Sequence, residues 1–162
     1  VKPVLVVPAL AAALTAITPA SAATLRDMMF PGNASCYLRQ YSDAHLAGHP
    51  DQLVAQIALG PTPGNTYEPG WIVLTVTVRL RGSQETYMGG AICDLAGDRL
   101  DCAMEGDAGA FTLTRAKDGG VMLNVSPRGM AFEGEQDFIE ISGTSGDDRA
   151  FLMPRVTADF CP

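Results

Sequence analysis

The sequence predicts an all-β protein: an antiparallel barrel, with a sandwich as the alternative, of about eight to ten short strands and one short helix near 43–48. Three observations carry this reading. Residues 71–81 alternate Ile72, Leu74, Val76, Val78 and Leu80 with Val73, Thr75, Thr77, Arg79 and Arg81, a period of two in a β-branched run. Gly, Asp, Asn and Pro cluster at 61–70, 117–120, 127–129 and 142–148, punctuating the chain as turns. Residues 92–102 read as a hairpin whose two arms flank Gly97-Asp98.

The first element is not part of that fold. Residues 4–17 form an uncharged run after Lys2 and before the small-residue stretch Ala20-Ser21-Ala22. A positive start, an apolar middle and a small-x-small site make a secretory signal peptide, cleaved after Ala22. Pro8, Pro19 and the many alanines make the run a poor membrane span, so no anchor is expected after cleavage. The domain plan is therefore a leader at 1–22 and a single β-rich domain at 23–162.

Strands follow near 36–41, 52–59, 71–81, 86–95, 99–104, 110–116, 120–126, 130–133, 137–142 and 150–154. The helix at 43–48 has Asp43 as its expected cap and Pro50 as its stop. The long Pro/Gly-rich loop at 61–70 has the length of a mobile flap.

The chain has 162 residues, 47% of them hydrophobic, and a net charge of −7. That apolar fraction excludes a disordered chain. The acidic balance argues against nucleic acid and against an anionic membrane surface as partners. After the leader only Lys117 remains among the lysines, against nine arginines, in an Ala- and Gly-rich sequence. This bias reads as a GC-rich bacterium, and the expected location is periplasmic or secreted.

Cys36, Cys93, Cys102 and Cys161 all follow the leader. An even count in an oxidising compartment implies disulfides, with three pairings open. A turn centred on Gly97-Asp98 sets Ala96 opposite Arg99, Leu95 opposite Leu100, Asp94 opposite Asp101, and Cys93 opposite Cys102. The cysteine pair then falls at a non-hydrogen-bonded site, where side chains are closest. Cys36 and Cys161 remain, and a bridge between them would tie the first strand to the last. No CxxC occurs, so neither a redox dithiol nor a zinc knuckle is read.

Few residues could carry chemistry. His45 and His49, four apart, would share one face of a helix, a spacing that suits two imidazoles on one metal, with Asp43 or Asp51 as a third ligand. The bland reading is a capped helical turn. Asp94 and Asp101, side by side in the hairpin register, could form a paired-carboxylate site with one raised pKa unless Arg99 or Arg115 neutralises them. Otherwise they are a solvated face. Glu133, Glu135, Asp137, Glu140, Asp147 and Asp148 crowd the late chain, but no DxDxDG loop is present, and they read as surface charge and turn chemistry. Trp71, Tyr67 and Tyr87 could line a ligand mouth, although such residues are more often core or strand rim. GxSxG, HExxH, P-loop and GxGxxG motifs are all lacking, and no catalytic residue is assigned.

Two stretches, Cys36-Tyr37-Leu38-Arg39-Gln40-Tyr41-Ser42-Asp43-Ala44-His45 with its continuation to Pro50, and Gly146-Asp147-Asp148-Arg149-Ala150-Phe151-Leu152, resemble small exported proteins of alphaproteobacteria that lack an assigned activity. They cover about one-seventh of the chain. The resemblance implies export by a bacterium and carries no catalytic residue with it. The functional expectation is an exported, non-catalytic barrel-like protein that binds a small ligand or an envelope protein, an inhibitor being one form of this. It needs no cofactor. The alternatives are a divalent-metal protein centred on His45 and His49, and a periplasmic hydrolase of unrecognised type.

Overall fold

The computed structural model describes residues 25–31, 35–64 and 71–160. The expected leader at 1–22, Tyr67 and Cys161 lie outside the described residues. A short helix α1 (Leu25–Met29) leads into β1 (Cys36–Gln40), helix α2 (Asp43–Gly48), β2 (Val54–Pro61), β3 (Trp71–Leu80), β4 (Tyr87–Ala96) and β5 (Arg99–Met104). Then come β6 (Gly109–Arg115), β7 (Val121–Glu133), β8 (Phe138–Ile141), β9 (Ala150–Met153) and β10 (Arg155–Val156). Every strand pairing is antiparallel, and neighbours from β1 to β8 are consecutive in sequence, as hairpin connections require.

The sheet closes into a ring, an arrangement compatible with the expected barrel. The first half of β7 pairs with β9, and the chain runs through Pro154 into β10, which pairs with β1. Leu38 N donates to Pro154 O at 3.1 Å across the junction. Proline has no N–H to offer a ladder, so the last strand breaks there into two pieces that serve two neighbours.

Inward positions follow the sequence alternation. Ile72, Leu74, Val76 and Val78 of β3 are buried, and they meet Leu59, Leu113, Leu123, Phe111 and Phe151 in one core. Burying each such side chain is worth about 1.5–3 kcal/mol, against about 0.5–1.5 for a net hydrogen bond. Core packing therefore dominates, and the interior of the ring is occupied by these side chains.

The hairpin register is as expected: Cys93 faces Cys102, Asp94 faces Asp101, and Ala96 faces Arg99. Cys93 and Cys102 form a disulfide, with Cα atoms 4.0 Å apart. Gly97 takes the positive φ (67°) that a glycine-first hairpin turn needs, while Asp98 does not. This is the type II′ form. Cys36 is also not free, but its expected partner Cys161 is outside the described residues.

Three expectations need correction. Residues 120–126 and 130–133 are one strand, the 13-residue β7, and Pro127-Arg128-Gly129 is a bulge rather than a turn. Phe111 pairs with Val125 but Gly109 pairs with Met130, so the extra β7 residues loop out between two good ladders. Helix α2 is capped by Ser42, whose side chain accepts from His45 N at 3.2 Å, and not by Asp43. Helix α1 was not foreseen. It covers one end of the ring, and Met29 and the following Phe30 enter the core.

Candidate functional site

Successive hairpins alternate ends, so the β5–β6 turn (105–108) and the β7–β8 turn (134–137) emerge at the same end of the ring. There Glu105 N donates to Gly90 O at 3.1 Å, and Ala131 N donates to Ala108 O at 2.8 Å. The β5–β6 tip is thus wedged between β4 and β7, which pair directly just beyond it through Met88 and Glu133. Gly89 and Gly90 make room for the wedge. A Cβ at Gly89 would lie 2.5 Å from Met104 Cε, and one at Gly90 would lie 2.8 Å from the Glu105 carboxyl.

The two turns border an open, shallow cleft of about 690 Å³. Its lining carries five carboxylates, from Glu105, Asp107, Glu133, Glu135 and Asp137, and no Lys, Arg or His among the described residues. Ala108, Ala131 and Phe132 supply apolar lining, with Phe132 buried, and Phe138 stands at the rim with 69% of its surface exposed. A neighbouring depression of about 400 Å³ shares Glu105 and Glu133 with the cleft and adds Met88 and Met104. The volume falls in the range of small-molecule sites, and the mixture of apolar floor and single-signed rim suits an amphipathic cation.

One wall of the cleft is pinned from behind. Glu85 Oε1 accepts from Glu135 N at 2.9 Å, and Glu85 Oε2 accepts from the Tyr87 hydroxyl at 3.2 Å. Gly134 N donates to Asp137 O at 2.8 Å and tightens the same turn. Burial, followed by the nearby Asp137 and Glu85 carboxylates, pushes the Tyr87 pKa up to about 12. Tyr87 therefore remains a hydrogen-bond donor at neutral pH.

The aromatic mouth expected from Trp71, Tyr67 and Tyr87 is not assembled among the described residues. Trp71 lies opposite Asp94 and Tyr87 opposite Val78, at the two ends of the β3–β4 ladder. Arg26 Nη1 donates to Trp71 O at 3.5 Å, so Trp71 belongs to the end that α1 covers. Tyr87 is close to the acidic cleft but buried behind its wall.

His45 and His49 do come together, in a stack. Their ring centroids are 4.1 Å apart at 15°, and Tyr41 also stacks on His45, at 4.7 Å. The Arg39 guanidinium lies 4.8 Å from the Tyr41 centroid, extending the column. The hydrogen bonds assign the ring protons. Gln52 Nε2 donates to Val54 O at 2.9 Å, so its Oε1 must accept, and His45 Nε2 is the donor at 3.0 Å. His49 Nδ1 donates to His45 O at 2.8 Å. Each ring keeps one lone pair, in its own plane. Nearly parallel planes about 4 Å apart do not direct two lone pairs at one ion held at roughly 2.1 Å from each nitrogen. Asp43 does not complete a site: no group of three or more His, Cys, Asp or Glu side chains suited to a metal occurs among the described residues.

Asp94 and Asp101 are neighbours across the hairpin, but Arg99 takes Asp101 with Nε at 2.6 Å and Nη2 at 3.3 Å. The Arg99 hydrogen bond holds the Asp101 carboxyl below the usual range, so its charge is met by a guanidinium.

Asp148 corrects the reading of the late acids as surface charge. It is buried, and its carboxylate accepts from Leu53 N at 2.6 Å and from Val54 N at 3.2 Å. Burial raises its pKa, while the two backbone donors work to lower it. Glu105 and Asp107 were not singled out as site residues. Hairpin parity could have found them, since 105–108 and 133–137 both set carboxylates around a glycine at tips two hairpins apart.

Comparison with known proteins finds no matching family model, curated protein or solved structure.

Proposed function

We propose that this is an exported, non-catalytic binding protein of a bacterium that takes a cationic ligand in the acidic cleft. The observation that carries the reading is the cleft itself: five carboxylates, no basic side chain among the described residues and an apolar floor in about 690 Å³. The ligand is a small polyamine or a basic segment of an envelope protein. Two charges 4 Å apart attract by about 1 kcal/mol in water and by more where solvent is partly excluded, so several carboxylates acting together suffice for useful affinity.

Support for export to the periplasm or beyond comes from the signal-like 1–22 segment and the hairpin disulfide. No helix among the described residues is long and apolar enough to cross a membrane. Support for a non-catalytic role comes from the engagement of the candidate groups, with Asp101 held by Arg99 and the histidine rings stacked.

Calorimetric titration with spermine and with an arginine-rich peptide tests the reading. Saturable binding is expected that weakens with added salt and is lost in a Glu133→Gln/Asp137→Asn variant. Absence of saturation at low ionic strength, or unchanged binding by the variant, overturns it.

A further inference from the structure

We propose a second site at the opposite end of the ring, where Arg115 and Arg155 bind a small oxyanion, a phosphate or carboxylate group. Gly109 and Arg115 terminate the same strand, about 20 Å apart, so this site is remote from the acidic cleft. A pocket of about 360 Å³ lies there between α1 and the β6–β7 connection, lined by Asp27, Met28, Tyr37, Arg115, Gly120 and Arg155 among others.

The two guanidinium groups are held differently. The hydrogen bonds of Arg155 all come from Nη2, which donates to Met28 O at 3.1 Å, Met29 O at 3.4 Å and the Tyr37 hydroxyl at 3.3 Å, and its Cζ lies 5.8 Å from the Tyr37 ring centroid. The Tyr37 hydroxyl in turn donates to Met29 O. The Nε and Nη1 donors of Arg155 have no acceptor among the described residues. Arg115 meets a thioether, Met28 Sδ, 3.7 Å from its Nη1, and no oxygen acceptor among the described residues. Sulfur is a weak acceptor, so most of the Arg115 fork is unspent.

Met28 brings the pair together. Its sulfur touches one guanidinium and its carbonyl the other, which confines both cations to the surroundings of one residue. The pocket's carboxylate, Asp27, is engaged by Arg26 at 3.1 Å. Like charges so placed repel, and an anion between them removes the repulsion while filling the free donors. The planar fork matches the oxygens of phosphate and carboxylate, and the volume admits a small molecule rather than a polymer.

The test is titration of the full protein with inorganic phosphate and, separately, citrate, at constant ionic strength set with chloride, followed by NMR of the arginine Nε–H signals. Saturable shifts at Arg115 and Arg155 are expected, and the stronger titrant tells phosphate from carboxylate preference. Arg115→Gln is expected to weaken binding about tenfold or more while leaving unfolding unchanged, because that side chain's partner is only a thioether. Arg115→Lys should be intermediate, and Arg128→Gln at the other end should bind like the parent. Linear, unsaturable shifts with both titrants, or equal affinity in Arg115→Gln, overturn the proposal.

Discussion

Asp148 Oδ2 lies 2.6 Å from the amide nitrogen of Leu53, a residue 95 positions earlier in the chain. This buried carboxylate joins the β8–β9 loop to the start of β2 and satisfies two backbone donors that have begun to leave the ladder. Asp148→Ala orphans both amides and should cost about 1–3 kcal/mol in urea unfolding. The pH dependence has a definite sign. Burial raises the folded pKa, so the native state holds the proton more tightly than the unfolded chain. The group's contribution is full below the unfolded value of about 3.9 and is lost as pH rises through the higher folded value. The stability curve of Asp148→Asn should lack that decline.

Removing the hairpin disulfide with Cys93→Ala/Cys102→Ala should cost roughly 2–3 kcal/mol, the loop-closure value for so short a loop. Denaturant midpoints of the two proteins measure it, provided Cys36 remains oxidised in both.

Tyr87 should resist ionisation in alkali. With its pKa raised to about 12, the phenolate absorbance of this residue should appear only near that pH. The native state retains the proton longer than the unfolded chain, so the stabilisation from Tyr87 is full below about pH 10 and disappears towards pH 12. Tyr87→Phe should remove this step from the absorbance titration.

Gly109→Ala should be severe. Gly109 has φ at 97°, and an added Cβ would lie 2.0 Å from the Gly129 carbonyl oxygen. Neither the conformation nor the space admits a side chain, and a loss on the order of 3 kcal/mol is expected in thermal or denaturant unfolding.

The sequence made local pairing readable wherever a turn centre was unambiguous. Gly97-Asp98 determined the whole β4–β5 register, disulfide included, because each outward step from a two-residue turn names the next pair. Helix α2 was legible at its C-terminal end from Pro50, while at its start two adjacent residues of capping type, Ser42 and Asp43, left the cap to be decided by the structure. Pro127-Arg128-Gly129 misled because the same residue types that make turns also make bulges, and only the neighbouring β8 and β9 ladders decide between them. Helix α1 is too short to show a periodic stripe, and its place is decided by what Met29 and Phe30 bury. Of the candidate site, the carboxylates were visible as composition but not as a place. Bringing 105–108 beside 133–137 takes the closed geometry of the ring, which no window of sequence contains.

The division of the final strand at Pro154 has a consequence for the order of assembly. Until residues 150–156 arrive, β1 lacks its outer neighbour and the first half of β7 is open along one side. Both are bare strand edges of the kind that recruit other chains. The contacts that seal them join Cys36 to Val156, nearly the whole length of the domain, and such distant pairings form slowly. A molecule stalled before this step is an open ribbon with two adhesive margins. Its fate in a crowded compartment turns on how fast the last seven residues of the ring find their two partners.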